Sequence, residues 1–256
     1  MSGHSPAHSC TLVIPARRHS TRLPDKLLLR ETGKSVLQHT YEAACQARHP
    51  RSILIATDDD EIASEARRFG ASVVMTSPEC PSGTDRVAEA VRRNEDAGIV
   101  VNVQGDEPEI NPEAIDQLIE SLWANPNAAM ATLATPIRNL AALRDPACVK
   151  VVFDNAGQAL YFSRSTIPHP REWDDELLQT EPAVFYQHIG VYAYRRELLL
   201  QLATLPVGRL ERLEKLEQLR VLEHGERIMV SIVDEPTRGI DTPEDYADFL
   251  ARRRAA

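Results

Sequence analysis

The chain has 256 residues, 43% of them hydrophobic and 26% charged, which is enough for one large α/β domain or two small ones. A formal charge of −9 argues against non-specific binding to nucleic acid or to anionic membranes, and no apolar run is long enough to cross a bilayer. Cys10, Cys45, Cys80 and Cys148 show no paired spacing for zinc or redox chemistry, so they are expected as unpaired thiols filling core gaps in a reducing cytoplasm.

Residues 1–9, MSGHSPAHS, lack the apolar region of a secretory signal and read as a disordered tail ahead of one domain spanning 10–254. Residues 10–14 (CTLVI) predict a short strand that stops at Pro15. The loop after it carries Arg17, Arg18, Arg22 and Lys26 with the hydroxyls of Ser20 and Thr21. Fixed cations and loop N–H groups at a strand end suit a polyphosphate, although a solvated basic loop has the same composition. The spacing matches neither GxxxxGK[ST] nor GxGxxG.

An amphipathic helix is predicted over 35–47, with Val36, Leu37, Thr40, Tyr41, Ala44 and Cys45 along one side. A second strand (51–57) ends in Asp58, Asp59, Asp60 and Glu61, acids that cap a helix running to Phe69 and closed by Gly70. A third strand follows at 71–75. Short connections between alternating strands and helices point to a parallel doubly wound sheet. Ser82-Gly83-Thr84 then precedes a helix expected to reach Arg93; the segment is an N-cap and also offers N–H groups and hydroxyls to a base or ribose.

Residues 99–108 (IVVNVQGDEP) form the centre of the pattern. Ile99, Val100, Val101 and Val103 are β-branched, as in a strand buried on both faces. Gly105-Asp106-Glu107-Pro108 cannot continue a central strand, so two carboxylates stand at its carboxyl end, where open α/β sheets bind ligands. Such a pair suits Mg²⁺ or, more simply, caps the helix that Pro112 begins. Further on, Asp154-Asn155-Ala156-Gly157 between apolar runs at 149–153 and 158–163 signals a hairpin, and 184–194 reads as another apolar strand.

Nine segments in order resemble the CMP-sugar-acid synthetase family. They are IPARRHSTRLPDKLL (14–28), ATDDDEIA (56–63), MTSPECPSGTDRVAE (75–89), VNVQGDEPEI (101–110), MATLATPI (130–137), VKVVFDNAGQALYFSRSTIP (149–168), YQHIGVYAYR (186–195), LEKLEQLRVLEHGERI (213–228) and GIDTPEDYADF (239–249). The resemblance covers nearly the whole chain. It implies a Rossmann-like mixed, mostly parallel α/β sheet of the nucleotide-diphospho-sugar transferase type, with a smaller β-rich excursion at 150–200 that forms a homodimer contact and part of the acid site. The implied reaction joins CMP from CTP to the anomeric hydroxyl of a 2-keto-3-deoxy sugar acid such as 3-deoxy-manno-octulosonate (KDO), with Mg²⁺ as cofactor and pyrophosphate as product.

The same resemblance assigns roles residue by residue. Arg17, Ser20, Arg22 and Lys26 fall on the triphosphate loop, whereas Arg18 and His19 fall on variable places in it. Ser82, Gly83, Thr84 and Arg86 fall on the cytosine segment, with Gln104 shared between nucleotide and sugar acid. Asp106 and Asp241 fall on the metal ligands; local logic alone makes Asp241 an N-cap before Pro243. Arg164, His188, Tyr192, Glu217 and Gln218 fall on the acid site. In a helix over 210–223, Glu217 shares the apolar stripe of Leu210 and Leu213, where a carboxylate wants a partner. Two departures stand out: Asp25 replaces a common Gly, and Val207-Gly208-Arg209 lacks the Ser many members carry before the LEQLR helix. The second leaves an 8-amino relative of KDO, a sialic-acid-like sugar or a phosphonate open as the acceptor. Retention of Lys26, Asp106 and Asp241 disfavours a non-catalytic nucleotide-binding module.

Overall fold

The computed structural model describes residues 9–18, 20–92 and 97–255. Of the expected tail only Ser9 is among them, and its carbonyl accepts the N–H groups of Gly98 and Ile99 at 2.9 Å. Arg93, the expected end of the third helix, lies outside the described residues.

The strands are β1 (Cys10–Ala16), β2 (Ser52–Thr57), β3 (Ser72–Met75), β4 (Ile99–Asn102), β5 (Met130–Pro136), β6 (Lys150–Phe153), β7 (Ala159–Ser163), β8 (Tyr186–Arg195) and β9 (Ile228–Ile232). Seven of them run in the order β3-β2-β1-β4-β8-β5-β9. All pairings along that path are parallel except those of β8 with β4 and β5. This is a mixed, mostly parallel α/β sheet. Ile99, Val100, Val101 and Asn102 are all 0% exposed, so β4 is the covered centre that its β-branched run implies.

Helices cover both faces, and local sequence explains where they start. Ser35 Oγ accepts from Gln38 N to open α1 (Val36–Ala44). Asp59 accepts from Glu61 N and Ile62 N to open α2 (Asp60–Arg68), and Ser82 opens α3 (Gly83–Val91) with Asp85 closing a capping box. Pro112 is the first residue of α4 (Pro112–Ala124). The remaining helices are α5 (Leu140–Arg144), α6 (Arg196–Leu202), α7 (Arg209–Glu214), α8 (Gln218–Glu223) and α9 (Pro243–Ala255). Leu12, Ile14 and Val101 pack with α1, α4 and α9 on one face. Val13, Val100 and Tyr194 pack with α3, α6 and α8 on the other. Full burial of each such aliphatic side chain contributes about 1.5–3 kcal/mol.

Four expectations are corrected. β1 does not stop at Pro15 but continues to Ala16, pairing with β2. Val13 and Pro15 face the same neighbour, β4, whose register with β1 ends at Val13, so the missing N–H of Pro15 has no partner to lose. The helix over 210–223 is two helices, broken at Lys215 in the left-handed region (φ 54°). The break leaves Leu213 72% exposed while Leu216 and Leu219 turn into the core. Of the cysteines, Cys10 and Cys148 are buried, but Cys45 is exposed and Cys80 half-buried, so only two fill the core. Finally, β8 lies inside the 150–200 excursion yet is a strand of the central sheet, and the β6–β7 hairpin joins that sheet through β6.

Candidate active site

The carboxyl ends of β1 and β4 open into a cavity of about 330 Å³. Arg17, Ser20, Arg22, Lys26, Gly83, Gln104, Asp106 and Asp241 line it, bringing together residues predicted from separate segments. Pro15, Thr21, Leu27 and Gly105 complete the walls; of these, Leu27 was carried by no chemical signal in the sequence. Two glycines set its shape. A Cβ on Gly83 would stand 3.3 Å from Gln104 Oε1, and one on Gly105 would stand 3.1 Å from the Pro15 carbonyl, so side chains there would push into the cavity or its rim.

Charge is arranged around Lys26. Its ammonium donates to Asp106, to Asp241 Oδ1 at 2.9 Å and to the Ile240 carbonyl at 2.9 Å. Arg22 reaches Asp241 Oδ2 at 3.1 Å, and Ile240 N donates to the Asp106 carbonyl at 2.8 Å, which clamps the segment before α9 against the end of β4. Burial opposes the Lys26 charge, but Asp106 and Asp241 outweigh it and hold its pKa above the ordinary value. Arg17 donates to the Cys80 carbonyl at 2.9 Å. Arg18, in a variable place of the loop, anchors it: it donates to Asp25 at 3.0 Å and pairs with Glu61 at 2.6 Å. Asp25 itself adopts φ 53°, a conformation for which Gly is the unstrained choice and Asp a tolerated one.

Arg17, Arg22 and Lys26 against Asp106 and Asp241 leave the cavity one positive charge in excess. A larger cavity of about 400 Å³ opens at the ends of β5 and β9, but Glu109, Glu113, Asp234 and Glu235 line it without a lysine or arginine. Four carboxylates repel a polyphosphate. Of the two, the smaller cavity has the charge that suits a polyphosphate.

Asp106 and Asp241 converge closely enough to share one ammonium, and both offer the hard oxygens that Mg²⁺ takes. Among the described residues no group of three or more His, Cys, Asp or Glu could hold a metal. Two carboxylates with the rest of the shell from phosphate and water is the usual Mg²⁺ arrangement at a nucleotide, so the residues fit. The neighbouring Glu107 is buried, and burial first, then the Asp106 charge, push its carboxyl up to about 8.

Beside this cavity lies a polar layer beneath α3 and α8. Asn102 pairs in register with Tyr192, and Gln104 Nε2 donates to Asn102 Oδ1 at 3.2 Å. Tyr192 donates to Gln218 Oε1 at 3.3 Å, and its ring lies 5.6 Å from that of His188. His188 and Tyr192 stand on one face of β8, opposite Ala134 and Thr132, despite a bulge between Thr132 and Leu133. Glu217, at the start of α8 rather than within a long helix, accepts from Thr84 at 3.0 Å, and burial raises its pKa. Gln218 Nε2 and Asn102 Nδ2 are buried donors without a hydrogen-bond partner among the described residues.

Thr132 Oγ1 lies 2.9 Å from His188 Nε2 and 3.1 and 3.0 Å from the Ile189 and Val191 carbonyls. Its single hydrogen belongs to a carbonyl, so the hydroxyl accepts from Nε2–H and leaves Nδ1 as an acceptor. Burial drops the His188 pKa from 6.5 to about 3. The unfolded imidazole takes up a proton near pH 6.5 and the folded one does not until near 3, so stability is full above 6.5 and falls as pH drops through that window. From pH 7.5 to pH 5 this contributes a loss of about 2 kcal/mol. Urea unfolding of the wild type and His188→Gln at both pH values checks it; equal pH dependence in the two proteins contradicts the assignment.

Three predicted site residues are held elsewhere. Arg86 is 1% exposed and bonds Thr76 Oγ1 at 2.5 Å and Asp58 at 3.1 Å, away from the cavity walls. Ser82 spends its hydroxyl on Asp85. Arg164 donates to the Glu214 and Pro146 carbonyls at 2.7 and 3.0 Å, tying β7 to α7. The position Gly208, without a side-chain cap, is served by Glu223, whose Oε1 accepts from Arg209 N and Leu210 N; that cap stands in for the missing serine.

A cytidylyltransferase family model matches residues 11–228. The chain is 50% identical over 244 residues to 3-deoxy-manno-octulosonate cytidylyltransferase of Rhodopirellula baltica, covering 95% of this chain and 98% of the relative. It is 48% identical over 238 residues to 8-amino-3,8-dideoxy-manno-octulosonate cytidylyltransferase of Shewanella baltica, covering 92% and 94%. A solved CMP:2-keto-3-deoxy-manno-octonic acid synthetase complexed with CTP aligns with a TM-score of 0.89 at 38% identity, covering 96% of this chain and 99% of that chain.

Proposed function

The chain belongs to the cytidylyltransferase family, and from that membership we propose that it transfers CMP from CTP to the anomeric hydroxyl of KDO, releasing pyrophosphate. The observation that carries the reading is the meeting of Arg17, Arg22 and Lys26 with Asp106 and Asp241 in one cavity at the carboxyl ends of β1 and β4.

The sugar oxygen attacks the α-phosphorus, its proton passes to solvent, and the bond to the β-phosphate breaks as pyrophosphate leaves. Arg17, Arg22 and Lys26 neutralise the triphosphate and the leaving group, so catalysis rests on position and charge. Gly83 and Gly105 keep the floor open for the nucleotide. Gln104, His188, Tyr192, Glu217 and Gln218 offer the sugar acid a mixed set of donors and acceptors, with the neutral His188 accepting at Nδ1. Asp106 and Asp241 would hold Mg²⁺, which when bound polarises the α-phosphate and lowers the pKa of the attacking hydroxyl.

The assembly is proposed as a homodimer through the β6–β7 hairpin region; the exposed side chains of Leu160 on β7 and Trp173 beyond it support that placement. Action in the cytoplasm is proposed from four unpaired thiols. No helix among the described residues is long and apolar enough to cross a membrane.

A second acceptor, the 8-amino analogue of KDO, is favoured by the 48% identical relative named for it. Pyrophosphate release with Mg²⁺, CTP and either KDO or its 8-amino analogue separates the two. Release dependent on KDO is the expected result. Release with the 8-amino acid alone keeps the chemistry and changes the acceptor, and no release with either overturns the proposal.

A further inference from the structure

All three hydrogens of the Lys26 ammonium are committed, to Asp106, to Asp241 and to the Ile240 carbonyl, and the side chain is 12% exposed. One cation thus sits between two carboxylates that come from distant parts of the chain. Without it, the two like charges repel, Asp106 from a partly buried position and Asp241 from an exposed one. These are also the two carboxylates assigned to Mg²⁺. A divalent ion bridging Asp106 Oδ2 and Asp241 Oδ1 takes the place the ammonium holds, because the ammonium bonds those same two oxygens.

Lys26 has somewhere to go. It shares the cavity with Arg17, Ser20 and Arg22, and its four-carbon stem is flexible. Moved there alone, the ammonium would meet Arg17 and Arg22, two like charges. Moved there beside a triphosphate, it meets four anionic oxygens or more and is stabilised. The exchange is therefore uphill without nucleotide and downhill with it.

We infer that Lys26 is an exchangeable counter-ion of the Asp106–Asp241 pair: it bridges the pair before nucleotide binds, with Arg22 as a second cation on Asp241, and it gives way to the divalent cation once phosphates arrive to receive it. Metal affinity then depends on nucleotide, and Lys26 acts as a positioning residue for the carboxylates in one state and as a phosphate ligand in the other. The inference rests on the cytidylyltransferase reading and on its metal assignment.

The test is Mn²⁺ binding to the full-length protein without nucleotide, followed by the electron paramagnetic resonance signal of free Mn²⁺. Wild type, Lys26→Met, Lys26→Gln, Arg22→Met and Asp106→Asn are compared, with circular dichroism to establish that each is folded. Lys26→Met and Lys26→Gln are expected to bind Mn²⁺ about tenfold tighter than wild type, the gain from removing a competitor that occupies its site about nine-tenths of the time. Arg22→Met, which loses a cation touching only Asp241, is expected to gain much less. Equal gains from Arg22→Met and Lys26→Met mean a general charge effect and overturn the exchange. No gain from either Lys26 variant also overturns it. If in that case Asp106→Asn still weakens Mn²⁺ binding, the metal assignment survives and only the exchange fails; if Asp106→Asn changes nothing, the metal assignment falls as well.

Discussion

Asp106→Asn lowers kcat by about 10³-fold at saturating Mg²⁺ while the fold stays intact. Two facts set this expectation. Asp106 stands where β4 ends, with its side chain 26% exposed, so it supports no core packing. The carboxamide keeps the shape and an oxygen that accepts from Lys26, but it loses the negative charge a hard cation needs from its ligand. Charge stabilisation by a bound metal is worth several kcal/mol in the transition state, and at about 1.4 kcal/mol per factor of ten, 4 kcal/mol is about 10³-fold. Stability changes by about 1 kcal/mol or less, the scale of a partly exposed ion pair. Steady-state kinetics with a thermal melt of the same sample measure both. Turnover within tenfold of wild type would remove Asp106 from the catalytic site.

Arg86→Met separates two roles for the same residue. The family resemblance puts Arg86 with cytosine recognition, whereas the structure spends its guanidinium on Thr76 and Asp58 beneath α3. Those two residues follow β3 and β2, so the pair fastens α3 to the carboxyl edge of the sheet. Breaking a fully buried ion pair costs about 3–5 kcal/mol. Asp58 is 23% exposed and regains water when its partner goes, and methionine refills most of the volume, so a loss of about 2 kcal/mol is expected. In a chain of this size that lowers Tm by about 4–8 °C. The KM for CTP, measured well below the new Tm, changes by about threefold or less, a residual effect of looser Gly83 and Thr84 at about 0.6 kcal/mol. A large rise in KM with an unchanged Tm is the opposite pattern and returns Arg86 to the nucleotide.

The elements of this protein that depend on neighbours in the chain were determined by sequence alone. β-branched runs made β2 and β4, Ser35, Asp59, Ser82 and Pro112 placed the helix starts, and the hairpin at 154–157 followed from its turn residues. The basic loop and the carboxylates after β4 were equally visible, because Pro15 stands near the end of β1 and Gly105 follows β4, marking where charged residues reach the sheet edge. What only the tertiary structure decided involves groups far apart in sequence. The antiparallel insertion of β8 between β4 and β5 depends on ladder bonds to strands that local pattern does not identify. The break at Lys215 costs a left-handed residue and is offset by burying Leu216 and Leu219 while Glu214 docks on Ser163 and Arg164. Arg86 and Lys26 look alike in sequence, each a cation beside a glycine- or proline-rich turn. Burial gave one to Asp58 and the other to Asp106 and Asp241, because a charge leaving water must find its counter-charge within a few ångströms, wherever in the chain that partner lies.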